Sequence, residues 1–427
     1  MTTTNPDVQL SDVLIVGGGM AGGLMAAALM HSGLSVVVLD AAPVPKMPAG
    51  AATPRVSALT EASQHMLANV GAWQKIPPAR IQPYDRMHVW DGDGTGDVHF
   101  AAQDLHTDAL GWIVENEALV AALYQAVTQK QDGDVPQPLA ATRWEANART
   151  DSIRRSEQGW RLKLADGRRF CAPMLVGADG ARSAVRQTAG IPGTPRDTGH
   201  VAIVGSATTA LPHGACARQR FIDSGPLALL PLCDGEGASG VLHQVSIVWS
   251  LWPGEAERLM ALDDAAFDIA LTQASTGCLG DMQFQGRRLV FPIQELHASS
   301  YIADGLALIG DAAHVVHPLA GQGINLGLLD AAVLAEEMLR ALQRGLPHWH
   351  ASALRRYERR RRGHNALMLN ALHGFKVLFE TSAPPVRMAR NMGMNLVNRV
   401  LPARNLFARQ AMGRGGDLPQ LARSKAL

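Results

Sequence analysis

Residues 310–327 read GDAAHVVHPLAGQGINLG. Asp311, His314 and His317 recur at intervals of three, with residue types able to ligate a metal or to relay protons. The flanking sequence bears on the choice. LALIG before the stretch is a short apolar run, as a buried parallel strand requires. INLGLLDAAVLAEEMLRAL after it has helical periodicity, so the backbone N–H groups of Gly321, Gln322, Gly323, Ile324 and Asn325 open a helix. A cation at Asp311, His314 and His317 would lie near the positive end of that helix, and no metal is expected there.

The elements that would position this stretch are legible elsewhere. Residues 12–40, DVLIVGGGMAGGLMAAALMHSGLSVVVLD, form a strand–glycine–helix–strand unit. Gly17, Gly19 and Gly22 fit G-x-G-x-x-G: the first makes a tight turn, the second lets the backbone approach a pyrophosphate, the third allows close helix–strand packing. Asp40 follows about twenty residues on, where an acid can accept from ribose hydroxyls. The whole unit points to an adenine dinucleotide. A glycine-rich membrane helix over residues 13–30 would leave Asp40 and the second apolar run unexplained. A third segment, APMLVGADGARSAVR (residues 172–186), runs an apolar strand into Asp179 and Gly180, which alone would mark only a turn.

These three motifs, in this order, resemble those of the single-component flavin-dependent aromatic hydroxylases, the class A monooxygenases. RVSALTEAS, MHVWDGDGTG, GWIVEN and RRYERRRR, with the closing RQAMGRGGDLPQLAR, extend the similarity over nearly the whole chain. They bring it to the ubiquinone-biosynthesis hydroxylases, most closely the 2-polyprenylphenol hydroxylase branch. The resemblance implies FAD as cofactor and NAD(P)H as cosubstrate. It implies hydroxylation of a polyprenylated phenol by O2 through a flavin C4a-hydroperoxide. An enzyme acting on a soluble phenol and a flavoprotein acting mainly as a scaffold subunit are the alternatives.

By the same resemblance, Gly17, Gly19, Gly22 and Asp40 hold the adenosine diphosphate part, and Arg55 and Asn116 contact FAD phosphate or ribose. Asp179 and Gly180 serve FAD and NAD(P)H, and Gly310 and Asp311 bind the flavin ribityl chain. The helix-opening N–H groups face the flavin edge that becomes negative on reduction. Pro318 and Leu319 line the reacting edge. His314 and His317 are candidates to help deprotonate a phenol, although shaping the loop is the reading preferred for both.

The implied fold is α/β: a Rossmann-like FAD-binding domain (1–80, 111–195, 286–345), an inserted substrate-binding β-sheet domain (81–110, 196–285) and a helical C-terminal region (346–427). PLALLPL and VSIVWSL should be strands of the insert. DGDGTGDVHFAA begins like a calcium loop, but Ala102 stands where a bidentate Glu is needed, so a hairpin turn is expected. GDVPQPL and IPGTPRDTG should be loops or crossings.

Residues 340–427 hold 17 Lys+Arg against 3 Asp+Glu, leaving 22 against 35 in the rest. A solvated helix face is the plain reading of RRYERRRR. The sharper one is contact with an anionic membrane surface or with other ubiquinone-pathway proteins. No nucleic-acid partner is expected. The four cysteines form no CxxC pair and read as free thiols. A cytoplasmic protein, peripheral at the inner face of a membrane, is the expected location.

Overall fold

The computed structural model describes residues 8–50, 53–92, 94–129, 142–233, 243–316, 322–381 and 383–424. Four apolar runs, each too short for a helix and each fully buried, form the centre of a six-stranded sheet. Val13–Val16 lies between Val36–Leu39 and Met174–Gly177, all parallel, and Leu306–Leu308 extends the sheet beyond Met174–Gly177. Strands buried on both faces need continuous apolar sequence, and VLIV, VVVL and LAL supply it. The helices Met20–Leu29, Asn116–Thr128 and Gln322–Gln343 contribute buried leucine and alanine side chains to the same core. Residues 13–30 are therefore a strand and a ten-residue helix, and among the described residues no helix is long and apolar enough to cross a membrane.

An eight-stranded sheet stands beside this unit. It includes Arg86–Asp91, Asp97–Ala101, Gly193–Thr209, Cys216–Ile222, Gly225–Pro231, Gln244–Leu251, Met282–Ala298 and His314–Val315. PLALLPL and VSIVWSL are neighbouring antiparallel strands of it, with Leu229 opposite Ile247. MHVW and DVHF pair as the two arms of a hairpin, Val89 opposite Val98. IPGTPRDTG departs from expectation: from Gly193 onward it is strand, paired with Met282–Ala298. Pro195 is tolerated because residues 193–197 have a ladder neighbour on one side, while Gln244–Leu251 joins the other side only from Val201. GDVPQPL lies outside the described residues.

The C-terminal part is helical, in Ala351–Glu380, Pro384–Arg399 and Leu401–Ala411. Its basic run is not simply a solvated face. Arg356 and Arg360 pair with Glu337, Arg360 also with Glu336 and Asp417, and Arg361 is buried against Asp330. Arg355, Arg359 and Arg362 remain exposed. The cysteines are free thiols, Cys171 and Cys216 buried, Cys233 and Cys278 partly so.

Candidate active site

Three loops gather at the carboxyl end of the parallel sheet, the edge at which open α/β sheets bind ligands. The first is the glycine turn after Val13–Val16. Gly17 has φ +102°, and a Cβ there would come within 2.3 Å of the Ala178 carbonyl oxygen. A Cβ on Gly22 would meet the Gly17 oxygen at 2.0 Å. Both positions are closed to larger residues by backbone, not by flexible side chains. Gly19 differs: nothing lies within 4 Å of a Cβ built on it, although it directly precedes the helix Met20–Leu29. The turn thus leaves a hollow at a helix N-terminus. Asp40 closes one side, its Oδ2 only 2.5 Å from a Cβ placed on Gly18.

The second loop follows Met174–Gly177. Asp179 accepts from Ser183 Oγ at 2.5 Å and from the Val185 N–H at 3.1 Å, so its carboxylate fastens the start of the short helix Ala184–Thr188. Gly180 has φ +79° and open space around it. Arg186 donates to the Ala312 carbonyl at 2.7 Å and to that of Ala181 at 2.8 Å. It ties this loop to the third.

The third loop follows Leu306–Leu308. Gly310 has φ +58°; a Cβ there would crowd Ala21 at 3.2 Å, and one on Gly327 would lie 3.1 Å from the Gly310 Cα. Two helices therefore close on the loop. Asp311 is accessible to solvent yet ringed by protein, the situation of a group lining a cleft. Desolvation raises its pKa, opposed by the charges of His314 and Arg55. Arg55 reaches this neighbourhood from the end of the strand Val56–Leu59, its guanidinium over the Phe291 ring at 5.5 Å. That strand pairs with Gly111–Glu115, which brings Asn116 next to Arg55, the Asn116 N–H donating to the Arg55 carbonyl at 3.0 Å. The Asn116 Oδ1 accepts from Ser57 Oγ at 2.6 Å.

His314 is buried, and its Nε2 meets Asp330 Oδ2 at 2.5 Å. Asp330 also accepts from the Gly310 N–H at 3.1 Å, from Arg361 Nε at 2.8 Å and from Asn365 Nδ2 at 3.0 Å. Burial would raise its pKa. The charges of His314 and Arg361 and their hydrogen bonds outweigh burial and hold it down to about 2. The Nδ1 of His314 has no hydrogen-bond partner among the described residues. Engagement of Nε2 by Asp330 suits a loop-shaping role for this histidine. Sequence reasoning passed over Asp330, Arg361 and Asn365. The available signal was Asp330 itself, a lone acid in the apolar helical run LGLLDAAVLA.

His317, Pro318, Leu319 and Gly321 lie outside the described residues. Gln322, Gly323, Ile324 and Asn325 form the first turn of the helix Gln322–Gln343. The Asn325 side chain is structural: Oδ1 accepts from the Thr60 N–H and Ser63 Oγ, and Nδ2 donates to the Ala58 carbonyl.

The residues present suit FAD. Open space stands over Gly19 at a helix N-terminus, Asp40 offers an acceptor beside it, and Asp311 follows a strand two places along the same sheet edge.

Comparison with known proteins agrees with this geometry. A family model described as "FAD binding domain" matches residues 10–371. The chain is 35% identical to "Ubiquinone hydroxylase UbiL" of Rhodospirillum rubrum, over 98% of this chain and 94% of that one. It is 32% identical to "3-demethoxyubiquinol 3-hydroxylase" of Escherichia coli, over 95% and 99%. The mitochondrial "Ubiquinone biosynthesis monooxygenase COQ6" of Drosophila melanogaster is also 32% identical, over 96% and 92%. Among solved structures, pqsL, a probable FAD-dependent monooxygenase from Pseudomonas aeruginosa, shares the fold with TM-score 0.71 at 24% identity, covering 90% of this chain and 99% of that one. The chain belongs to the FAD-binding monooxygenases, within the group of ubiquinone-biosynthesis hydroxylases, and is an FAD-dependent enzyme.

Proposed function

We propose that this enzyme hydroxylates the ring of a polyprenylated phenol in ubiquinone biosynthesis, consuming O2 and NAD(P)H. The observation that carries the reading is the convergence of Gly19, Asp40, Arg55, Asp179 and Asp311 on one sheet edge, in a chain that aligns end to end with hydroxylases of that pathway. Bound FAD supplies the redox chemistry, accepting electrons from NAD(P)H and delivering one oxygen atom of O2 to the ring.

The protein's part is to bind, orient and exclude water. Gly17, Gly19 and Gly22 shape the pyrophosphate seat, and Asp40 accepts from adenosine ribose hydroxyls. Arg55 and Asn116 flank the phosphate and ribose, Asp179 and Gly180 hold the second loop, and Gly310 and Asp311 take the ribityl chain. The first turn of Gln322–Gln343 presents backbone N–H groups where negative charge gathers. Asp330, held ionised by His314 and Arg361, anchors the Gly310 N–H and so fixes the loop from behind. The family resemblance assigns Pro318 and Leu319 to the reacting edge, where an apolar lining would keep water away. The Gly225–Pro231 and Gln244–Leu251 strands wall the substrate side.

A peripheral contact with an anionic membrane surface belongs to the same proposal, since a prenylated phenol is membrane-dissolved. It is supported by an exposed apolar stripe on the helix Pro384–Arg399, where Met388, Met392 and Leu396 recur every four residues at 62–66% exposure. Exposed Arg399 and Arg409 accompany it.

Mass spectrometry of the quinone precursor that accumulates when the gene is deleted tests the reading. A prenylated phenol lacking one ring hydroxyl is expected. Unchanged ubiquinone with no such precursor would contradict it.

A further inference from the structure

The hairpin of Arg86–Asp91 and Asp97–Ala101 carries a cluster that the flavin chemistry does not use. His88 and His99 are directly opposite in register, so both side chains project from one face. Asp97 stands two residues before His99 and shares that face. Their donor atoms converge: His88 Nε2 is 2.8 Å and His99 Nε2 2.7 Å from the two oxygens of Asp97. The three ligand atoms all lie within 4.8 Å of one another.

Two further features set the surroundings of the cluster. The His88 ring is sandwiched, 4.3 Å from Trp90 and 4.1 Å from His99 between centroids, and nearly parallel to both. The strand behind it is pinned along its free edge. Asn391, Asn395 and Asn398, one turn apart on the helix Pro384–Arg399, accept in order from the N–H groups of Gly96, Asp97 and His99 at 2.5, 3.2 and 3.0 Å. The hairpin is thus held rigid without help from the cluster.

We propose that His88, Asp97 and His99 form a binding site for a divalent transition metal, with Zn2+ as the ion that suits two imidazoles and one carboxylate. Metal–ligand distances of about 2.0–2.2 Å place tetrahedral ligands about 3.3 Å apart. The two imidazoles now contact different oxygens of Asp97 and stack nearly parallel, so ligation requires the exposed His99 ring to turn until both Nε2 lone pairs point at one ion. Each imidazole offers its Nε2 lone pair once its proton resides on Nδ1, and the Asp97 carboxylate supplies the anionic ligand. Water completes the shell on the exposed side, where His99 stands. The ion would staple the hairpin on the far edge of the eight-stranded sheet from His314–Val315.

Equilibrium dialysis of tag-free holoenzyme against Zn2+ in a competing chelator tests this. One Zn2+ per chain is expected. His88→Ala and His99→Ala should each weaken binding by more than the roughly 10–100-fold that loss of an outer-shell partner costs. His31→Ala, at an exposed histidine elsewhere, should leave it unchanged. Zn2+ should also raise the thermal midpoint of the wild type and of His31→Ala, but not of His99→Ala. Because the His99 side chain is exposed, its loss does not threaten folding, and near-native circular dichroism of His99→Ala confirms that. Equal zinc retention by wild type and His99→Ala, or no retention by either, would overturn the proposal.

Discussion

Asp330 Oδ2 lies 2.5 Å from His314 Nε2, and both side chains are almost wholly removed from solvent. The same carboxylate accepts from Arg361 on a helix more than thirty residues later and from the backbone of Gly310. A buried charge held this way is costly to disturb from one side. Asp330→Asn leaves His314 and Arg361 without their counter-charge and should destabilise the fold by about 3–5 kcal/mol. Chemical denaturation measures the loss, and flavin retention at a temperature where the variant is folded should fall with it.

The arginine run separates into two classes. Arg361→Ala should cost about 3–5 kcal/mol by stranding Asp330. The pair Arg359→Ala and Arg362→Ala, both exposed, should stay within about 0.5 kcal/mol of the parent. Sedimentation with anionic liposomes then tests the surface cleanly. Met392→Glu should weaken it with stability intact; unchanged binding would remove the apolar stripe from the account.

The glycine turn offers a second separation. Gly17→Ala meets both a positive φ and the Ala178 carbonyl, and should cost at least about 1–3 kcal/mol from the backbone alone. Gly19→Ala meets nothing in the protein, so it should fold normally but bind FAD more weakly. Thermal melts of the two flavin-free variants and flavin titration of Gly19→Ala check both statements.

Acid stability follows from the buried ionisable groups. The folded-state pKa of Asp330 is about 2, below its ordinary 3.8, so its contribution is full above about pH 4 and fades as pH falls toward 2. That contribution is roughly 2 kcal/mol. His348, whose Nε2 contacts the Asp12 carbonyl at 2.9 Å, has a pKa lowered by burial and only partly restored by that contact. A histidine kept neutral in the fold stabilises fully above pH 6.5 and loses this as pH falls below it. Denaturation midpoints should therefore decline in two stages, one beginning below pH 6.5 and one below pH 4. In His348→Gln the first stage should be smaller.

Much of this arrangement was legible in the sequence because it rests on backbone geometry. Gly17, Gly22 and Gly310 are dictated by close approach of main chain to main chain, which leaves a mark at the residue itself. The runs VLIV, VVVL and LAL announced buried strands for a similar reason. Long-range polar pairing leaves less: Asp330 stands out as a lone acid in an apolar run, but its partners carry no such mark. Nothing in RRYERRRR distinguishes buried Arg361 from exposed Arg362, since the difference is set by which face of Ala351–Glu380 meets Gln322–Gln343. Pro195 misled in the opposite direction: a proline suggested a loop, yet one-sided pairing lets the strand run through it.

The FAD seat has its own check. Asp311→Ala should purify without flavin while keeping its secondary structure. A variant that stays fully yellow and active would remove Asp311 from the ribityl contact.

The proposed reaction places an oxygen atom from O2 on a prenylated phenol ring. Incubating purified holoenzyme with NAD(P)H, a prenylphenol and isotopically heavy O2, then weighing the product by mass spectrometry, tests it most directly. One heavy oxygen on the ring is predicted. NAD(P)H oxidation with no labelled ring product, across prenylphenols of differing tail length, would contradict it.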